Sequence, residues 1–390
     1  MAMRNIVRSA ILICASALLP LQGIAAKSLE SRLDVRVKAG MTQTQTQGVA
    51  IAFIENGTVK LVKSWGKRNA KGEPLTTDSV MYGASLTKAV FAYTVMQLVE
   101  EGRLDLDTSI AHYLPKPLPD YADEEEKYAG WHHLAGDDRW RKLTPRILLT
   151  HSSGFSNFGF LEPDGKLKFH FDPGTRYAYS GDGLILLQFV IERGLGLDLG
   201  QEMQRRVFDR FGMKTTSMIW RPDFATNLAD GWRMDGSTEP HDERSKTRAA
   251  GSMDTTISDF AKFAAGYVKG QGLSKTSRKA LTTAHLSITT ISQFPSLQPE
   301  AAPEARIESL AAGLAVISFA GPQGRGFFKG GHNDSTGNML VCVEKRKSCV
   351  VILSNDVRAE PMFPAIVKLV LGETGMPWAW EYGAQDWTKD

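Results

Sequence analysis

Cysteine is scarce, with three copies in 390 residues, Cys14, Cys342 and Cys349. That count excludes a disulfide-stapled scaffold and a cysteine-rich zinc module. Histidine is scattered, at His112, His132, His133, His151, His170, His241, His285 and His332. None pairs with another at helical His-x-x-x-His spacing or with a carboxylate at ligand spacing, so neither a metal nor another cofactor is expected. Charge of one sign is not in excess either. Lys and Arg number 46 against 43 Asp and Glu, a net charge of +3, which gives no basic footprint for nucleic acid or an anionic membrane surface. Internal repeats are missing, and with them a solenoid.

What is present is the composition of a folded protein, 42% apolar and 23% charged residues, near the globular average. The length suits one large domain with an inserted subdomain, or two ordinary domains. Residues 1–26 stand apart. Arg4 and Arg8 precede an apolar run from Ala10 to Leu19, and small Ala25 and Ala26 follow, the layout of a cleaved signal peptide. The run is shorter than the ~20 residues of a spanning helix, and Pro20 interrupts it, so no membrane anchor is expected. Cys14 follows Ile13, where a lipoprotein processing site wants a small residue. The expectation is a periplasmic or secreted protein of residues 27–390, its net charge lowered to +1 by loss of two arginines.

Gly48 to Ile54 meets Thr58 to Trp65 across Asn56-Gly57, a favoured two-residue hairpin turn. The middle of the chain is helical. Leu86 to Glu101 is apolar and unbroken, Thr144-Pro145 supplies an N-cap and a proline at N1, and Asp182 to Glu192 ends at Gly194. Asp198 with Gln201 opens another helix, and Thr256 with Asp259 a further one. Strand character returns in Ala311 to Phe319, Arg325 to Phe328, Asn338 to Glu344 and Ser348 to Asn355, before a last helix around Pro361 to Leu371. This order predicts an α/β fold of the α+β type: an antiparallel sheet built from both chain ends, flanked by helices, with a helical subdomain over roughly 67–300 inserted into it. The seam between the two parts is the natural place for a cleft.

Lys116 to Lys142, with the acidic run Asp123 to Glu126, and Leu286 to Ala305 read as loops or insertions, the acidic run as solvated surface. Cys342 and Cys349 flank a turn centred on Lys345-Arg346. They fall opposite one another, either as a disulfide in an oxidising compartment or as two buried thiols. Trp378, Trp380 and Trp387 read as packing residues.

Three segments carry chemistry. Ser85-Leu86-Thr87-Lys88 places a hydroxyl and an amine one helical turn apart on one face. A serine is a weak nucleophile until a neighbouring base takes its proton, and a lysine among apolar groups has its pKa lowered toward that role. Tyr177-Ala178-Tyr179-Ser180-Gly181, just before a helix, offers a phenol as proton relay. Phe327-Phe328-Lys329-Gly330-Gly331-His332 is a strand whose glycines admit a close approach and whose lysine offers a cation to a carboxylate. Taken singly each has a plain structural explanation: a capping serine, a half-buried aromatic, a bulge.

In this order and at these separations the segments resemble the active-site set of class C β-lactamases, penicillin-binding proteins of the DD-peptidase kind, and related serine esterases. Leu148 to Gly154, Phe171 to Gly174 and Ala250 to Thr256 match the same families, and the resemblance runs from about Val49 to Leu371. It implies a serine acyl hydrolase of β-lactamase fold acting on a β-lactam, a short ester or a D-amino-acid peptide. By position, Ser85 is the nucleophile, and Lys88 and Tyr179 share the base and acid work. The N–H groups of Ser85 and His332, beside Gly331, form the oxyanion hole, and Lys329 orients the substrate or supports the Tyr179 phenolate. One departure matters. Two residues after the motif tyrosine the family usually has Asn, and this chain has Gly181. That loss moves weight from β-lactams toward esters or a narrow set of peptides, unless Asp182 or Asn333 supplies the amide's role. It also supports a rival, a non-turnover penicillin-binding sensor of the same fold. A Ser-His-Asp triad through His151 or His332 is not expected, because no Gly-x-Ser-x-Gly elbow is present.

Overall fold

A computed structural model describes residues 19–122 and 128–383. Residues 1–18 of the leader reading, the acidic run Asp123 to Glu126, and Trp387 lie outside the described residues. In chain order the strands are β1 (Gly48–Glu55), β2 (Thr58–Gly66), β3 (Met81–Tyr82), β4 (Gly231–Trp232), β5 (Thr238–Glu239), β6 (Asp254–Thr255), β7 (Leu286–Ser287), β8 (Ala311–Ala312), β9 (Ile317–Gly321), β10 (Gly324–Asn333), β11 (Thr336–Val343) and β12 (Ser348–Ser354). Eight form one sheet, ordered β2-β1-β12-β11-β10-β9-β8-β7, and every pairing in it is antiparallel. The sheet is thus assembled from both ends of the chain, as predicted.

The helices are α1 (Leu19–Thr44), α2 (Thr87–Glu100), α3 (Pro145–Leu149), α4 (Gly181–Phe189), α5 (Leu199–Met203), α6 (Asp209–Phe211), α7 (Ile257–Lys269), α8 (Lys275–Thr282), α9 (Phe363–Leu371) and α10 (Trp378–Tyr382). Their starts follow the capping residues read from the sequence. Thr144 accepts from the Ile147 N–H, Asp198 from Gln201 and Thr256 from Asp259, each satisfying a helix-end donor. Among the described residues no helix is long and apolar enough to cross a membrane.

The central strands are apolar without alternation because helices cover both faces. Ala50, Ala52 and Ile54 point into one core with residues of α2 and α7. Val49, Ile51 and Phe53 point into the other with residues of α1 and α9. Asn56 and Gly57 close the first hairpin with φ of 50° and 70°, the left-handed pair that matches the twist of the strands. Across the last hairpin Cys342 and Cys349 are register partners with Cα atoms 4.1 Å apart, joined as a disulfide.

Three segments depart from expectation. Ala311 to Phe319 is two strands, because the N–H groups of Leu314 and Ala315 turn away to the carbonyls of Leu281 and Leu149. Strand β10 continues through Lys329 to Asn333, where glycine weakens strand propensity but pairing with β11 holds the full length. Its other neighbour, β9, stops pairing at Phe328, so residues 329–333 present an edge with no strand on it. The described residues of 116–142 bury Leu118, Trp131, Leu134 and Trp140, with Trp131 against Phe189 of α4, and those residues pack into the helical layer.

Candidate active site

The turn Ala84–Leu86 leads directly into α2. Ala84 sits at φ 45°, a left-handed conformation that strains a residue with a Cβ by about 1–3 kcal/mol and is kept where a structure over-determines it. It sets Ser85 at the mouth of the helix, facing the free edge of β10. A Cβ on Gly331 would stand 3.1 Å from the Ser85 nitrogen and 2.9 Å from that of Leu86. Only glycine lets strand and turn approach this closely.

Lys88 follows one turn later and its Nζ lies 2.9 Å from Ser85 Oγ and 2.6 Å from the Ala250 carbonyl, to which it donates. The side chain is buried with no acid beside it. Burial, then the charges of Lys329 and Arg248, lowers its pKa well below the usual 10.5, so the amine is set up to accept a proton. Tyr179 donates to the same Ser85 Oγ at 2.8 Å. Burial raises its pKa despite the Ser85 hydrogen bond, so the phenol keeps its proton. Lys88 and Lys329 each place Nζ 5.0 Å from the Tyr179 ring centre.

Lys329 is buried on β10 and donates to Tyr179 Oη at 3.4 Å and to the Gly330 carbonyl at 2.9 Å. Burial lowers its pKa, partly offset by the charge of Glu381. His332, two residues beyond Gly330, lies with Nδ1 3.2 Å from Glu360 Oε1. Burial opposes its protonation, but the hydrogen bond and charge of Glu360 prevail and its pKa is raised. All six residues singled out from the sequence, Ser85, Lys88, Tyr179, Lys329, Gly331 and His332, are gathered here.

Neither histidine considered for a triad bonds Ser85. His151 accepts the Ser180 N–H on Nδ1 at 3.1 Å and stacks on Tyr179 with centroids 4.4 Å apart; burial drives its pKa well down. It is a neutral plate that positions the phenol. Phe294 meets the other side of Tyr179 edge-on at 4.9 Å, and Ser296 donates to the Tyr179 carbonyl at 2.6 Å. The 286–305 segment therefore lines the site, although composition alone made it a loop.

The expected stand-ins for the missing amide are occupied elsewhere. Asp182 is buried and accepts the Gly159 N–H at 2.6 Å, with burial pushing its pKa to about 6. Asn333 accepts from Ser335 in the β10–β11 turn. The space an asparagine at 181 would enter is filled by Phe158, and the Gly181 N–H donates to Asn157 Oδ1 at 2.9 Å. Past Phe158 a hollow of about 460 Å³ is lined by Tyr82, Phe160, Arg244, Arg248 and Gly251. Among the described residues no group of three or more His, Cys, Asp or Glu side chains is placed to hold a metal ion.

A family model described as Beta-lactamase matches residues 33–371. Among curated proteins, a lovastatin esterase of Penicillium rubens is 28% identical over 231 residues, covering 51% of this chain and 56% of its own. Esterase EstB of Burkholderia gladioli is 26% identical over 207 residues, covering 50% and 53%. The chain thus spans about half the length of these relatives. Among solved structures, a class C beta-lactamase shares 16% identity with a TM-score of 0.70, over 90% of this chain and 97% of its own. A D-alanine carboxypeptidase from Burkholderia cenocepacia shares 18% with a TM-score of 0.70, over 89% and 99%.

Proposed function

Because the chain belongs to the beta-lactamase family, we propose that it is a serine acyl hydrolase, an esterase of short acyl groups in preference to a β-lactamase. The observation that carries this reading is Ser85 Oγ held at 2.9 Å from Lys88 Nζ and 2.8 Å from Tyr179 Oη, with Phe158 standing where a family amide would hold a β-lactam. The named esterases among the relatives support the same direction.

In this reading the neutral Lys88 amine takes the Ser85 proton as Oγ attacks the ester carbonyl. The N–H groups of Ser85 and His332 receive the oxyanion. Tyr179 gives its proton to the departing alkoxide, leaving a phenolate flanked by the Lys88 and Lys329 ammonium groups. That phenolate then takes a proton from water, hydroxide attacks the acyl-Ser85 carbonyl, and Lys88 returns its proton to Oγ. Protons balance over the cycle, and the two pKa directions, amine down and phenol up, are those the roles require.

Export is part of the proposal, supported by the Arg4 to Ala26 pattern and by a Cys342–Cys349 disulfide that suits an oxidising compartment. The test is release of nitrophenol from a nitrophenyl ester. Steady release lost in Ser85→Ala is expected; a single burst of one equivalent would favour the non-turnover sensor that Gly181 suggests.

A further inference from the structure

The family match ends at residue 371, yet helix α10, beyond it, reaches the site. Trp380 is buried between Tyr177 and Phe328, and its Nε1 donates to the Thr290 carbonyl at 3.1 Å. The Gln293 N–H donates to the Trp380 carbonyl at 2.9 Å. These contacts fasten α10 to the segment that carries Phe294. The next residue, Glu381, is buried and enters the cleft lined by Ser85, Tyr179, Phe294 and Lys329. Its Oε2 accepts from Gln293 Nε2 at 2.6 Å, and Gln293 Oε1 accepts from Tyr177 at 2.7 Å. Its Oε1 lies over Gly330, so close that a Cβ there would collide with it, and accepts no hydrogen bond from the described residues.

We propose that Glu381 is a specificity residue of the Ser85 site, accepting a substrate ammonium group along the β10 edge and turning away substrates that carry a carboxylate there. The inference rests on the acyl-serine reading above. A carboxylate that lines the cleft with one oxygen fixed by Gln293 presents the other, already oriented, to an N–H of a charged ligand. A purely structural counter-ion would bond Lys329 directly. Instead the Lys329 ammonium is engaged by Tyr179 Oη and the Gly330 carbonyl, and Glu381 by Gln293. An incoming carboxylate at residues 330–332 would face Glu381 beside Lys329, with Glu360 already paired to His332. Since burial raises the pKa of the Glu381 carboxyl to about 7, the discrimination is strongest above that pH. Selectivity then comes from repulsion of the wrong ligand as well as from attraction of the right one.

The test uses the full chain and two nitrophenyl esters of equal length, one ending in a primary ammonium group and one in a carboxylate. Wild type is expected to favour the ammonium ester in kcat/KM by about tenfold or more, and the isosteric Glu381→Gln to lower that ratio about tenfold. Equal turnover of the two esters by wild type overturns the proposal without any variant. So does a ratio that Glu381→Gln, shown folded by its thermal melt, leaves unchanged. Ser85→Ala separates the two readings: turnover that survives it defeats the acyl-serine mechanism, whereas turnover that it abolishes, combined with no charge preference in wild type, defeats only the role of Glu381.

Discussion

Restoring asparagine at position 181 should damage the protein before it improves any activity. A Cβ there would come closer than 3.0 Å to both Cε1 and Cζ of Phe158 and lie 3.2 Å from Asn157 Oδ1, where carbon contacts settle at about 3.5–4.0 Å. The Phe158 ring stacks on Phe160 with centroids 5.2 Å apart and can escape only toward the hollow it borders, at the cost of that stacking. Gly181→Asn alone is therefore overpacked and should lose about 1–3 kcal/mol of stability. Phe158→Ala removes the obstructing ring, so in the double variant the clash disappears. The two changes should couple favourably by about 1–3 kcal/mol, well outside the ~0.5 kcal/mol scatter of independent sites. Urea unfolding of the four proteins, read as midpoints at constant slope, measures that coupling. A chromogenic cephalosporin then reads function: the double variant, with room for the amide, should gain β-lactam turnover that the single variant lacks. Additive stabilities would refute the steric argument, and a well-folded double variant with no gain would refute the assignment of poor β-lactam turnover to the missing amide.

Ser85→Ala should lower ester kcat by at least about a thousandfold while leaving the fold intact, measured by nitrophenol release beside a thermal melt. Lys88→Met should abolish turnover similarly and yet raise the melting temperature at neutral pH. Burial depresses the folded-state pKa of Lys88, so between that value and 10.5 the unfolded chain binds the extra proton and stability rises with pH; the gain from Lys88→Met should accordingly shrink as pH approaches 10.5. For the same reason wild-type kcat/KM should rise with pH on an acid limb whose midpoint lies well below 10.5, and a limb at the ordinary lysine value would refute Lys88 as base. Replacing Cys342 and Cys349 together by Ser should lower stability by about 2–3 kcal/mol, the entropy of a short closed loop, read by urea unfolding under oxidising conditions.

Much of this was legible in one dimension because its causes are local. A hairpin with Asn56-Gly57 at its tip, capped starts at Thr144, Asp198 and Thr256, and a Ser-Lys pair on one helical face depend on residues within a few positions of each other. The facing of Cys342 and Cys349 follows from turn length, though whether they bond does not. The motif order then pointed to the family, and with it to a sheet fed from both chain ends.

What sequence could not carry was any contact whose partners lie far apart along the chain. Nothing near position 181 announces that Phe158 fills the space of an amide, and nothing near Leu286 to Ala305 announces that Phe294 and Ser296 hold Tyr179. His151 drew notice as a triad candidate, but only the fold turned it flat against the phenol. Glu381 gave no signal at all: a short helix past the last expected element, it reaches the cleft because Trp380 is buried beside Phe328. The sequence by itself determined which groups can react, since nucleophile, base and phenol are properties of side chains and local geometry. The tertiary structure decided their protonation and their selectivity, because burial, the approach of distant charges and the volume left beside Ser85 arise only when separate segments pack together.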